Sequence, residues 1–218
     1  MAWDKEEEKR LRQVIKDSGV ALLAENLVQG TWGNTAVRLD DDHMLVTPTG
    51  LDYVALQPED MPIVQISDPS VWSDGKKPTS ERKIHAAIMA ARSEINATIH
   101  SHPVWCSVFA SARVELPVMS DEMQKLVGGS ARVGAYGLPG TKKLRNGTVA
   151  AMQGRNACFM ANHGVFCAGR DMDEAFEIIR IMERSCKQYI EQKTLEATGQ
   201  KTYSDELLFD YFKSRYGK

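Results

Sequence analysis

The chain has 218 residues, 43% hydrophobic and 26% charged, a balance suited to one globular domain with a sizeable core. Its formal net charge of −2 argues against a broad nucleic-acid-binding surface, and no apolar run approaches the roughly 18 residues of a membrane span. The N-terminus lacks the apolar stretch of a secretion signal, and Cys106, Cys158, Cys167 and Cys186 form no C-x-x-C pair, so a cytoplasmic protein with buried, reduced thiols is expected.

In chain order, the first segment reads as an amphipathic helix with Leu11, Val14, Ile15, Ser18 and Leu22 on one face. A glycine-rich turn, Gln29 to Asn34, leads into a hairpin whose strands, 35–39 and 44–47, flank Asp40-Asp41-Asp42. Pro48-Thr49-Gly50 stops the second strand, and Pro58-Glu59-Asp60 turns into the apolar stretch 63–66. Thr79-Ser80 signals the start of a helix carrying Ile84, Ile88 and Met89. Residues 98–102 look extended and are interrupted by Pro103. Residues 119–127 and 142–152 suit helices, whereas 157–161 and 165–168 are short apolar strands. Met172, Ala175, Phe176, Ile179, Met182, Cys186 and Ile190 mark the strongest helical stripe, and 205–216 reads as a short helix running into a mobile tail. This interleaving predicts a single α/β domain over 1–218, with one mixed sheet covered on both faces and 205–218 as its C-terminal segment.

His100-Ser101-His102 is the most informative tripeptide. On a strand, alternate side chains share a face, so the two imidazoles can converge on one ion, although two hydrogen-bonded histidines would show the same spacing. His163 lies between two apolar stretches, where a strand can deliver it to a pocket. Three neutral imidazoles make an open zinc site that leaves a position for substrate, and manganese or cobalt would also be accepted. Beside such a metal, Glu81 becomes a candidate proton carrier; alone, it would read as a carboxylate favouring a helix N-terminus. His85, four residues later, shares its helix face and either orients Glu81 or packs, while His43 reads as a surface residue. Gly33-Asn34, Thr49-Gly50 and Thr79-Ser80 are small polar pairs that can cradle a phosphate or simply serve as turns and caps. None forms a nucleotide-binding P-loop.

Together these segments resemble the class II aldolase/adducin family, especially its L-fuculose-phosphate aldolase branch. The similarity runs from Gly30-Thr-Trp-Gly-Asn34 through Thr47-Pro-Thr-Gly50, Thr79-Ser80-Glu81, Ile84-His85, His100-Ser101-His102 and Ala161-Asn-His-Gly164 to Tyr216. The resemblance implies a three-layer α/β/α domain with a largely antiparallel sheet, assembled as a homotetramer. It also implies zinc on His100, His102 and His163, with Glu81 as acid/base. Gly33, Asn34, Thr49, Gly50, Thr79 and Ser80 would bind the phosphate of a small-molecule substrate. The expected reaction is reversible aldol cleavage of a phosphorylated ketose to dihydroxyacetone phosphate and an aldehyde, through a zinc-stabilised enediolate. Epimerase, decarboxylase and dehydratase chemistry belong to the same family, as does a noncatalytic interaction module. One departure is that Ser120-Asp121-Glu122 stands where the aldolase pattern has a tyrosine. Tyr216, in a tail shifted by one residue, is carried over as an acid donor.

Overall fold

The computed structural model describes residues 3–198. The chain begins with α1 (Lys5–Ala24), where Asp4 accepts from the Glu6 amide and Glu6, Glu7 and Glu8 suit the positive helix end. The hairpin β1 (Asn34–Arg38) and β2 (His43–Val46) follows, then the short strands β3 (Ile63–Gln65) and β4 (Trp72–Ser73). Next come α2 (Arg82–Ala91), β5 (Ala97–Ser101), α3 (Val104–Ala112) and α4 (Asp121–Val127). The chain continues through β6 (Arg132–Gly134), α5 (Lys142–Ala151), β7 (Ala157–Met160), β8 (Gly164–Gly169) and α6 (Met172–Thr198). Among the described residues no helix is long and apolar enough to cross a membrane.

The strands form one sheet in the order β4-β3-β2-β1-β5-β8-β7-β6. Only the β6–β7 pair is parallel, so the sheet is mixed and largely antiparallel. Strand periodicity divides the core in two. Val37, Leu45, Ala97, Ile99, Val165 and Cys167 pack with α1, α3, α4 and α6, whereas Ala36, Met44, Val46, Phe166 and Ala168 pack with α2 and α5. Thr98 and His100 lie between the residues of the first set along β5 and therefore face the α2 layer. The three layers expected from the sequence are present.

Two contacts steady the loop before β1. Gly19 lets α1 lie against Tyr53, since a Cβ there would stand 2.6 Å from Tyr53 Cδ1. The Tyr53 hydroxyl donates to the Gly33 carbonyl. All four cysteines are buried free thiols.

Candidate active site

The sheet brings the three histidines together from separate segments. His100 sits on β5 with Asn34 of β1 and Phe166 of β8 directly opposite in register. His102 lies one residue beyond the end of β5. His163 occupies the tight turn between β7 and β8, where Asn162 adopts φ 55° and the His163 amide donates to Met160 O at 2.9 Å. Their ligating nitrogens lie within 4.8 Å of one another.

Burial pushes all three imidazoles down, His100 and His163 to about 4 and His102 to about 3, so they are neutral at physiological pH. His100 Nδ1 donates to Val165 O at 3.0 Å, which leaves its Nε2 as a bare lone pair. That nitrogen stands 3.1 Å from Glu81 Oε2, and His163 Nε2 stands 3.6 Å from Glu81 Oε1. Lone pairs facing one another in a buried pocket repel unless positive charge lies between them. Glu81 Oε1, His100 Nε2, both ring nitrogens of His102 and His163 Nδ1 are buried without a hydrogen-bond partner. A divalent cation fits this set: three imidazole donors, an adjacent carboxylate and no competing internal hydrogen bond.

Glu81 occupies the N-cap position of α2, just outside the helix, with φ −92° and ψ 3°. Its own side chain makes no cap bond, so the carboxylate is free to turn toward the sheet. Asn34 Nδ2 donates to Glu81 Oε2 at 2.9 Å. The Asn34 carbonyl oxygen, which can only accept, lies 2.6 Å from His85 Nε2. His85 Nδ1 is then the acceptor for the Thr98 hydroxyl at 2.6 Å. Full burial holds His85 down at about 3, in keeping with this neutral tautomer. Thus Thr98, His85 and Asn34 form a one-way chain of donors ending on Glu81, which fixes the position of Oε2.

All six residues expected in the phosphate cradle line one cavity of about 420 Å³, together with Glu81, His102 and His163. Thr31, Trp32, Pro48 and Pro139 complete its wall, and Trp32 is 69% exposed at the mouth. The amides of Thr49 and Thr79 are committed to tying the two loops together, on Lys77 O and Thr47 O, both at 3.0 Å. Their hydroxyls are therefore the groups left for an anion. Thr79 Oγ1 accepts from the Glu81 amide at 3.3 Å, leaving its own proton to donate. Asn34 differs from the expectation: its side-chain amide serves Glu81 and His85.

Thr79-Ser80 precedes the helix but Glu81 takes the cap position. His43 is half-buried, with Nδ1 2.9 Å from Asp40 Oδ1 and its ring 5.0 Å from that of Trp3. Glu122 pairs with Arg184 at 2.6 Å on an exposed helix end. Tyr216 and the segment 205–218 lie outside the described residues.

The sheet, the clustered imidazoles and the carboxylate beside them define an α/β protein with a candidate metal centre. Residues 15–190 match the family described as Class II Aldolase and Adducin N-terminal domain, and the chain belongs to that family. Among its relatives, a 5-methylthioribulose-1-phosphate/5-deoxyribulose-1-phosphate aldolase from Rhodospirillum rubrum is 34% identical over 179 residues, 82% of this chain and 80% of that protein. A 5-deoxy-D-ribulose 1-phosphate aldolase from Bacillus thuringiensis serovar kurstaki is 29% identical over 185 residues, 84% of this chain and 86% of that protein. A solved structure of an L-fuculose 1-phosphate aldolase superposes with a TM-score of 0.80 at 28% identity, covering 96% of this chain and 97% of its own.

Proposed function

We propose that this protein is a zinc-dependent aldolase that reversibly cleaves a ketose 1-phosphate into dihydroxyacetone phosphate and an aldehyde. The observation carrying this reading is the buried triad of neutral imidazoles with the Glu81 carboxyl group held against it. When bound, the metal would supply Lewis-acid polarisation of the substrate oxygens and charge for the enediolate.

The remaining work falls to the chain. His100, His102 and His163 would hold the ion, and the hydroxyls of Thr49, Thr79 and Ser80 with the Gly33 and Gly50 backbone would hold the phosphate. In cleavage the C4 hydroxyl proton passes to the Tyr216 oxygen, the C3–C4 bond breaks, and C3 takes up a proton that Glu81 carries in that direction. Glu81 Oε1 is suited to the last step, because Oε2 is fixed by Asn34 while Oε1 has no protein hydrogen bond. In the condensation direction the same oxygen removes that proton. Tyr216 is retained as the proton donor to the aldehyde side, and a cytoplasmic homotetramer completes the reading.

Ketulose 1-phosphates ending in a deoxy or thioether carbon are the first substrates to test, since two relatives carry them in their names. Metal-loaded protein should release dihydroxyacetone phosphate from 5-deoxyribulose 1-phosphate, measured by coupled reduction, and chelation should stop it. A protein that binds metal yet releases no triose phosphate from any ketulose 1-phosphate would rule the reading out. Sedimentation in the same buffer tests the tetramer.

A further inference from the structure

Beside the reaction cavity lies a second one, of about 250 Å³, that shares Ser80 and Glu81 with it. Lys83, Lys142 and Arg145 line it. Lys83 comes from the start of α2, and Lys142 and Arg145 from the start of α5. Neither first turn contains an acidic residue. A helix N-terminus already bears partial positive charge, so cationic side chains there stand against the field of their own helix. No ion pair among the described residues involves these three side chains. Arg145 Nε donates to neighbouring Asn146 Oδ1 at 3.3 Å, which leaves its charge uncompensated.

The proposed cradle has the complementary property. Gly33, Thr49, Gly50, Thr79 and Ser80 offer dipoles and no charged side chain, while the whole chain is formally −2. A phosphate dianion approaching such a protein is captured faster where positive charge lies along its entry route.

We infer that Lys83, Lys142 and Arg145 form a cationic antechamber that draws in and retains the substrate phosphate beside the cradle. The inference rests on the ketose-phosphate reading above and adds charged residues to its recognition. It accounts for two helix starts carrying basic groups where their own stability favours acidic ones.

The test is the double charge reversal Lys142→Glu/Arg145→Glu in metal-loaded full-length protein, with Lys83→Ala as a milder companion. Because glutamate suits a helix N-terminus, the double variant should melt no lower than the wild type. Its affinity for inorganic phosphate, read by calorimetry, should fall at least several-fold. Its kcat/KM for a ketose 1-phosphate should fall by about tenfold or more at low ionic strength, with a flatter dependence on salt. A folded variant with unchanged phosphate affinity and salt dependence overturns the antechamber. Weakened inorganic phosphate binding with an intact salt dependence for the sugar phosphate assigns the cavity to a free anion and overturns the substrate role. If no ketose phosphate turns over at all, calorimetry still decides the anion site, so the two readings fail separately.

Discussion

Gly164→Ala probes how the site holds its least supported ligand. Neither ring nitrogen of His102 has a protein hydrogen bond, so packing alone orients the imidazole. A Cβ at position 164 would lie 2.3 Å from His102 Cδ2 and 2.5 Å from Ser101 O. Ordinary carbon contacts begin near 3.5 Å, so the ring would have to retreat by about 1 Å. Gly164 is not among the positive-φ glycines, so the alanine backbone is unstrained and the contact is the whole perturbation. Ligand misplacement of this kind weakens metal affinity by about 10–100-fold, equivalent to roughly 1.4–2.7 kcal/mol. Overpacking should lower stability by about 1–3 kcal/mol. Competition of metal-free protein with a chelating dye reads the first quantity, and urea unfolding of the same sample reads the second. A folded Gly164→Ala protein with wild-type zinc affinity would refute the idea that this gap positions His102.

Glu81→Gln should keep the metal and lose about 10²–10⁴-fold in turnover, measured as triose phosphate release; undiminished activity would remove Glu81 from proton transfer. Asn34→Ala should leave the buried His85 Nε2 and Glu81 Oε2 each short of a partner and lower stability by about 1–3 kcal/mol, read by urea titration. Its kcat should drop with the fold intact, whereas a change confined to KM would point to a phosphate role for that side chain. Acid should destabilise the metal-free protein. His85 and His100 are held down by burial at about 3 and about 4, below their unfolded value, so protons favour the unfolded chain. Their contribution is complete above about pH 6.5 and is lost as pH falls toward the folded values, at up to about 1.4 kcal/mol per pH unit for each histidine. Flat stability between about pH 7 and about pH 5 would contradict this account.

That His100 and His102 would share a side was legible from strand periodicity, whereas their gathering with His163 depends on the turn between β7 and β8. The donor chain behind Glu81 was not legible. Its members, Asn34, Glu81, His85 and Thr98, are joined by strand register and helix placement, with Asn34 and Glu81 47 positions apart. His85 was noticed for its spacing from Glu81, yet it acts through Asn34. Helix α3 escaped because Pro103 reads as an interruption, whereas here it is the N-cap, a position that needs no amide proton. Strands β4 and β6 have two and three residues, too few for any alternation to show. By contrast β7 and β8 are short but unbroken apolar runs and α6 carries a long apolar stripe, and all three fall where those patterns place them, α6 extending to Thr198.

His100 is rooted in β5, which has β1 on one side and β8 on the other, while the cavity wall is contributed by turns. Its imidazole therefore inherits the rigidity of the sheet interior, and opening it locally would mean parting paired strands. The loops that carry Thr31, Trp32, Thr49, Gly50 and Pro139 hold none of the three histidines, so they can change shape or side chains with smaller consequences for the cluster. Such an architecture lets selection alter the shape of the cavity wall while the histidine cluster stays as it is.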